Sequence, residues 1–578
     1  MRNQPLIKFT LVLLLNFLLV TGVFANVVTG HTAGILTHLG TSEYDFDSGF
    51  DSDSLVIREV TVDSIFTDRV VISWITDNPA GTGIINIFPE NTSKTLILNQ
   101  SLKNKHTFTL KGQPSQLFTI IPFSFIENDT VYAEAMTVIT ASKSTGEVKV
   151  YFNKPVNNQL STGTDAICLT NAIDDTLVRY INRAKYSIDL AIYNISEPSG
   201  LADIPAALNA ARTRGVTVRI VYDGTTSATG IPYLNTGIGK IARPENIDGI
   251  MHNKFLVIDA KSDNPNDALV WTGSTNMTKA QLLTDANSVI IIQDKSLALA
   301  YTLEFEEMFG STGSQPNPTM AKFGPGKTDN TPHDFMIGGK KVKLYFSPSD
   351  GVNGQIINTI NTADHDLFIA TMLITRTELA NPIKSRYYQG VDTRVLVNTD
   401  GQCTDDVLAI LKLLGFDFCE DGENGIMHHK YMIVDANHAG SDPMVLLGCH
   451  NWSYSAETKN DENTLIIHDP VLANIYYQEF DVRFSAGKPL DMRELILEEK
   501  ALKVYPNPTS GQFSIKNLNP LQSGDVIEIF TLDGSLVFSS VCSALLENTI
   551  DLPDLAPGIY ALRLHTTGKI FNTRIIKK

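Results

Sequence analysis

A phrase of twelve residues occurs twice in this chain and constrains its fold more than any other feature. It covers 249–260 in the first copy and 425–436 in the second, and both copies open with Gly-Ile-Met-His. The repeated polar residues are His252, Lys254 and Asp259 in the first copy and His428, Lys430 and Asp435 in the second. These polar residues stay in register while the apolar ones drift, so chemistry explains the repeat better than packing does. Two histidines on matching elements predict one acid–base pair.

The sequence around the phrase repeats as well. Apolar residues at helical spacing over 172–184 precede a β-rich run over 187–193, and the same alternation returns later with a strand over 393–397. Strands that alternate with helices predict an α/β domain. We therefore predict two copies of one α/β fold, over 155–312 and 338–487.

The first part of the chain has a different character. Residues 1–25 combine Arg2 and Lys8, an apolar run and a small-residue end, which is the pattern of a secretory signal peptide. Residues 26–55 are rich in Asp, Ser and Gly and are predicted to be a linker. Short β-rich runs separated by turn residues over 56–152 predict a small antiparallel β-sandwich.

Composition sets limits on the function. The chain has 578 residues, 43% of them hydrophobic and 19% charged, which predicts a folded protein of several domains. Its formal net charge of -17 makes it a poor match for a polyanion, although a local basic cleft stays open. Five cysteines without CxxC spacing argue against a disulfide framework or a zinc site, and a single bridge between Cys403 and Cys419 stays open.

Each motif histidine stands just before a β-rich run, so it is predicted at the end of a strand. Side chains two positions apart on a strand share a face, which places His252 beside Lys254 and His428 beside Lys430. A neutral imidazole can attack phosphorus or accept a proton, and a lysine can bind phosphate oxygens. The motif aspartates fall on the opposite face, so we predict that they act across the fold by orienting an imidazole.

A second matched phrase follows in each copy. It covers 273–276 in the first copy and 448–451 in the second, and an acidic phrase follows each, at 285–287 and 461–463. Hydroxyl and amide side chains can donate neutral hydrogen bonds to a phosphate. The predicted substrate-binding residues are Ser274, Asn276 and Asn451.

These motifs resemble the phospholipase D superfamily, whose HxK(x)4D motif is matched at all three positions in both copies. The resemblance covers about 155–487 and implies a phosphodiester hydrolase with one site between two pseudo-symmetric halves. It implies that His252 forms a phosphohistidine and that His428 protonates the leaving alcohol and then acts as base. The two motif lysines, Asn276 and Asn451 would hold phosphate oxygens, and neither a metal nor another cofactor is implied.

The chain departs from the family pattern at one position, and two other regions resemble other families. Cys449 stands where the family has Ser, and because a thiol is a weaker donor, this position either matters less or makes the second half-site asymmetric. The stretch 73–80 resembles part of fibronectin type III-like domains. The segment 502–578 resembles the C-terminal sorting domain of the type IX secretion system and completes the fold prediction with a small β-sandwich. It implies the type IX machinery as partner and a secreted or cell-surface protein of a Bacteroidetes-type bacterium.

Motifs identify the bond that is broken, not the molecule that contains it. Phospholipid is the first expectation for the substrate, because the chain is acidic and exported and shows no basic segment. A secreted endonuclease is the alternative, since 251–259 also resembles the small nuclease and cardiolipin hydrolase branch. A catalytically inactive surface-binding protein is the alternative of another class, and two intact triads argue against it.

Overall fold

A computed structural model describes residues 55–88, 93–127, 129–199, 202–490, 502–517, 524–531, 536–541, 547–552, 555–566 and 569–578. The predicted signal peptide and nearly all of the predicted linker lie outside these residues. Among the described residues, no helix is both long and apolar enough to cross a membrane.

The N-terminal region forms one six-stranded antiparallel sheet. Its strands are β1 (Ile57–Ile65), β2 (Arg69–Ile87), β3 (Ser93–Lys111), β4 (Leu117–Ile126), β5 (Asp129–Tyr132) and β6 (Met136–Ile139). A small antiparallel, fibronectin type III-like β-sandwich was predicted here, and the structure shows antiparallel strands joined in one hydrogen-bonded sheet. The turn residues at 78–83 lie inside β2, where the register with β3 shifts instead of the chain turning back.

The first α/β half begins earlier than predicted. Its elements are β7 (Val148–Phe152), α1 (Ile173–Arg183), β8 (Ser187–Ile192), α2 (Ile204–Thr213), β9 (Thr217–Asp223), β10 (Gly239–Arg243), β11 (Lys254–Ile258), β12 (Leu269–Gly273), α3 (Lys279–Leu283), β13 (Ser288–Ile292) and α4 (Lys295–Phe309). The sheet order is β10-β9-β8-β11-β12-β13-β7. The strand β7 was predicted within the N-terminal domain, but it pairs with β13 at the edge of this sheet.

The second half repeats this architecture. Its elements are β14 (Asp334–Ile337), β15 (Lys340–Ser347), α5 (Val352–Asn361), β16 (Asp366–Thr371), α6 (Thr377–Tyr388), β17 (Asp392–Val397), α7 (Asp405–Leu411), β18 (Phe418–Glu420), β19 (Lys430–Val434), β20 (Met444–Gly448), α8 (Tyr454–Thr458), β21 (Glu462–His468), α9 (Pro470–Ala486) and β22 (Lys488–Pro489). Seven neighbouring strands follow the order β18-β17-β16-β19-β20-β21-β15, which matches the first half strand for strand. The strand β14 adds an edge, so this half starts before the predicted residue 338.

Each half packs its edge strand against the last helix of the other half. Two aromatic clusters result, in which a ring from a motif strand meets a tyrosine of a helix and a phenylalanine of the opposite half. They consist of Phe255, Tyr301 and Phe346 in one case and of Tyr431, Tyr476 and Phe152 in the other. Burial of these rings makes one continuous core from both halves.

The described C-terminal residues form two antiparallel sheets around a core of their own. Their strands are β23 (Leu502–Tyr505), β24 (Gln512–Asn517), β25 (Val526–Phe530), β26 (Leu536–Val541), β27 (Glu547–Asp551), β28 (Gly558–Thr566) and β29 (Lys569–Lys577). The small β-sandwich predicted for this region agrees with this arrangement.

Candidate active site

The two repeated phrases meet where the halves join. The amide of His252 donates to the carbonyl of Asp461 at 2.9 Å, and the amide of His428 donates to the carbonyl of Ala286 at 2.9 Å. Each motif therefore pairs with the acidic phrase of the opposite half. The sequence predicted two histidines at one site, and the backbone holds both motifs at this seam.

A carboxylate from the second half holds His252. Its Nδ1 lies 2.8 Å from Oε2 of Glu462, and the two side chains are 7% and 0% exposed. The imidazole donates through Nδ1, which leaves Nε2 as the free nucleophilic nitrogen. Burial lowers the pKa of His252 to about 4. Although burial opposes its charge, the neighbouring His252 lowers the pKa of Glu462 to about 2.

His428 has an amide where His252 has a carboxylate. Its Nδ1 lies 3.1 Å from Oδ1 of Asn287, which also accepts a bond from the Ser274 hydroxyl at 2.8 Å. The Nδ2 of Asn287 donates to the carbonyl of Gln281 at 2.9 Å, so its oxygen faces the ring. The imidazole therefore donates through Nδ1 as well. Burial and then the nearby Lys430 hold the pKa of His428 well below its usual value.

The two motif lysines lie on the histidine side of their strands, as predicted. The Nζ of Lys254 donates to the carbonyl of His252 at 2.7 Å, and the Nζ of Lys430 donates to the carbonyl of His428 at 2.8 Å. Each ammonium keeps further N–H groups for a ligand. Burial lowers the pKa of Lys254 to about 8, and burial together with Lys254 lowers the pKa of Lys430 well below its usual value.

The motif aspartates do not orient the histidines, so that prediction was wrong. The carboxylate of Asp259 accepts the amides of residues 185–187 at 2.7–2.9 Å. The carboxylate of Asp435 accepts the amides of residues 364–366, the shortest at 2.8 Å. Both side chains fix the chain just before β8 and β16, at the end of the sheet opposite the histidines. Strand alternation placed them on the far face but could not show what they meet there.

The predicted phosphate ligands divide into two kinds. Asn276 and Asn451 have side-chain oxygens that find no hydrogen-bond partner within the described part of the chain. The hydroxyl of Ser274 is already committed to Asn287, so Ser274 supports the partner of His428. The orienting roles of Glu462 and Asn287 were not predicted, although both residues stand in the matched acidic phrases. The signal that could have found Glu462 is that the other copy has alanine at the matching position, whereas Asn287 has asparagine as its counterpart and carries no such signal.

The structure also shows the surroundings of one further histidine and the state of one cysteine. The Nε2 of His429 lies 3.1 Å from Oε1 of Glu479. Cys403 carries a free thiol in the described structure, so the bridge between Cys403 and Cys419 does not form.

Comparison with known families agrees with the repeated motifs. A family model described as "Cardiolipin synthase, PLD-like domain" matches residues 177–309 and 356–483. A second model, described as "Secretion system C-terminal sorting domain", matches residues 503–578. The first match covers both motifs, and the second covers the C-terminal β-region.

Individual proteins give the same result. A phospholipase D of Rickettsia prowazekii is 30% identical over 199 residues, which are 32% of this chain and 89% of that protein. A mitochondrial cardiolipin hydrolase of Xenopus tropicalis is 29% identical over 134 residues, 23% of this chain and 61% of the relative. The chain thus spans about 60% of the length of the cardiolipin hydrolases that it matches. Among solved structures, the phospholipase D family member Nuc from Salmonella typhimurium is 23% identical with a TM-score of 0.23, over 26% of this chain and 98% of that chain. The chain belongs to the phospholipase D superfamily and carries a type IX secretion C-terminal sorting domain.

Proposed function

We propose that this protein is an exported phosphodiesterase that hydrolyses the head-group bond of phospholipids through a phosphohistidine on His252. The observation that carries the proposal is the bond between His252 and the buried carboxylate of Glu462. A carboxylate on Nδ1 fixes the tautomer and makes Nε2 a stronger nucleophile, as in other oriented imidazoles. His428 has only the neutral oxygen of Asn287 and suits the acid–base role.

The proposed first step forms a bond from Nε2 of His252 to phosphorus while the bond from phosphorus to the alcohol oxygen breaks. His428 gives the leaving oxygen a proton from its Nε2. A bound anionic phosphate raises the pKa of a nearby histidine, which is how His428 gains that proton. In the second step a water oxygen forms a bond to phosphorus while the bond from phosphorus to Nε2 of His252 breaks and His428 takes the water proton, so both histidines return to their starting states.

The lysines and asparagines fit the ligand role in this scheme. Lys254 and Lys430 each donate one N–H to a backbone carbonyl. Their remaining N–H groups and their positive charge can bind the non-bridging oxygens of the phosphate. The amides of Asn276 and Asn451 lie in the same phrases as the partners of the histidines and can donate neutral hydrogen bonds. Charge that develops on phosphorus would then meet donors that are already in place.

Charge near the motifs supports phospholipid over nucleic acid. The Nζ of Lys459 lies 2.9 Å from Asp248, and Arg483 lies 3.4 Å from Glu423, so both cations are paired. The whole chain carries a formal net charge of -17. Nucleic-acid binding takes most of its affinity from unpaired cations that contact phosphates. Paired cations and a negative net charge therefore favour a zwitterionic lipid as substrate. The sorting domain supports a site of action outside the cell, on the surface or in the medium.

The test compares lipid and DNA as substrates with purified protein in the presence of a chelator. We expect release of the head-group alcohol from phosphatidylcholine or phosphatidylethanolamine vesicles while plasmid DNA stays intact. His252→Ala should abolish turnover, and His438→Ala, at an exposed histidine, is the matched control. DNA cleavage with intact lipid would identify the endonuclease alternative. No turnover of either substrate, together with retained vesicle binding, would identify the inactive binding protein.

A further inference from the structure

A sulfur, an imidazole and a carboxylate lie together beside the proposed nucleophile. One ligand atom each from His252, Cys449 and Glu462 falls within 4.8 Å of the other two. All three side chains are buried, and Cys449 is 0% exposed. Ligand atoms around a tetrahedral zinc ion lie roughly 3.3–3.7 Å apart. The three atoms therefore lie at most about 1.5 Å further apart than the ligand atoms of such an ion.

The donor set exists in only one half of the molecule. The position that matches Cys449 in the first half is Ser274, and the position that matches Glu462 is Ala286. The first half thus lacks both the sulfur and the carboxylate. Cys449, which replaces the serine of the other half, therefore lies on the same side of the site as His252.

The sulfur of Cys449 is a thiol in the metal-free protein, because burial and then the nearby Glu462 raise its pKa to about 12. The backbone amide of Asn463 donates to Sγ of Cys449 at 3.2 Å, and its Nδ2 donates to the same sulfur at 3.3 Å. Two N–H donors on one buried sulfur stabilise negative charge there. A thiolate and the Glu462 carboxylate together supply two negative charges, which balance a divalent cation against the repulsion of Lys254 and Lys430.

We propose that His252, Cys449 and Glu462 form a zinc-binding site that inhibits the enzyme. Sulfur, nitrogen and carboxylate oxygen are the donors that zinc takes in proteins, and a water completes the tetrahedron. On binding, the thiol proton leaves to solvent as the Zn–S bond forms, and the Nδ1 proton of His252 moves through solvent to Nε2 as the Zn–N bond forms at Nδ1, so no oxidation state changes. Zinc removes the histidine from attack on phosphorus, so the inhibition rests on the proposed function, whereas the binding does not.

Cobalt(II) gives a readout that needs no activity. We expect Co²⁺ to bind the purified full-length protein at one site and to produce the near-ultraviolet charge-transfer band of a cobalt–thiolate bond, which Zn²⁺ then removes. Cys449→Ser should lose the band and weaken zinc binding more than about tenfold in competition with a chromophoric chelator. Cys403→Ser, at a free thiol elsewhere, should keep both. Ser274→Cys places a thiol in the half without the carboxylate and should add no second site.

Activity measurements complete the test. Zinc should inhibit head-group release by the wild-type protein, and Cys449→Ser should need more than about tenfold higher zinc for the same fractional loss of its own metal-free rate. Circular dichroism and the unfolding midpoint confirm that each variant is folded. A band that persists in Cys449→Ser, or a wild-type protein without saturable zinc binding, would overturn the site. A protein with the cobalt band but without turnover would refute the proposed function and leave the site standing.

Discussion

Glu462 makes the two motif histidines chemically different, although their motifs are the same. We expect Glu462→Gln to lower kcat about 10- to 100-fold, because the buried amide no longer holds the charge that favours Nδ1 donation by His252. KM should change little, since Glu462 does not belong to the proposed phosphate ligands. Steady-state kinetics on vesicles measure the effect. Glu245→Gln, at an exposed carboxylate of the loop before His252, is the matched control, and equal losses in both variants would contradict the role of Glu462.

Lys254 is expected to contribute to the alkaline limit of activity, together with Lys430, whose pKa burial and Lys254 lower well below its usual value. Burial lowers the pKa of Lys254 to about 8, so its ammonium is present below pH 8 and is lost as the pH rises through that value. Binding of an anionic phosphate should weaken in the same range. We therefore expect kcat/KM to fall tenfold per pH unit above about pH 8, a profile that reports the free enzyme. In Lys254→Arg the fall across this range should become shallower, because a guanidinium stays charged, and an unchanged limb in this variant would assign it to another group.

Acid pH acts through His252. Burial lowers the pKa of this imidazole to about 4, so the neutral nucleophile persists until the pH approaches that value. Protonation of His252 should therefore not lower kcat/KM until the pH falls below about 5. A histidine near its ordinary pKa of about 6.5 would instead lose activity below pH 6.5.

The residues of the site were predictable only as far as local spacing reaches. The shared face of His252 and Lys254 follows from strand alternation within one motif, and the structure agrees. The partners of the histidines, Glu462 and Asn287, come from the opposite half. Local spacing cannot show which residue of another element a side chain will contact. The orienting role was therefore predicted for the motif aspartates, which were the acidic residues within the repeated phrase.

At the scale of elements, the connection between the halves holds the site through a buried ion pair. Lys327 contacts Glu304 of α4, and its Nζ lies 3.5 Å from Asp461. Although burial works against its charge, Glu304 and Asp461 raise the pKa of Lys327 above its usual value. The carbonyl of Asp461 accepts a hydrogen bond from the amide of His252. The residue that pairs with Lys327 therefore also holds the backbone of the first motif.

Loss of this cation should be costly. Lys327→Met removes the cation that pairs with two buried carboxylates, so we expect the free energy of unfolding to fall by about 3–5 kcal/mol. Lys322→Met removes an exposed lysine that pairs with Glu307 at 2.9 Å and should cost less than about 1 kcal/mol. Urea denaturation measures both. Adding Glu304→Gln to Lys327→Met should recover part of the loss, and a double variant no more stable than Lys327→Met would contradict this account.

Elements inside each half were predictable, and those at its edges were not. The helix expected over 172–184 is α1, at Ile173–Arg183, because its apolar stripe has a core to pack against. The edge strand β7 was assigned to the wrong domain, since a strand pattern does not say which sheet it joins. The strands β2 and β3 run through residues that ordinarily form turns, because pairing over 19 residues outweighs local turn preference.

At the scale of the whole molecule, neither half contains a complete site. The partner of His252 lies in the second half, and the partner of His428 lies in the first. The aromatic clusters at the seam exchange rings in the same reciprocal way, so one shared core positions both histidines. The site therefore needs both pseudo-symmetric halves, and Glu462 and Cys449, which have alanine and serine as counterparts, make its two sides different.

The sorting domain should be separable from the chemistry. Its two sheets enclose their own core, and the residues of the proposed site lie between 252 and 463. A chain that ends at residue 490 should therefore keep full head-group release as a purified protein, yet stay inside a bacterium with the type IX system while the full-length chain reaches the medium or surface. Immunoblots of cell fractions and the vesicle assay measure the two outcomes. Full-length His252→Ala supplies the opposite pattern, with normal export and no turnover. Export of the truncated chain would show that another segment carries the sorting signal, and an inactive but folded truncated chain would show that the tail supports the site.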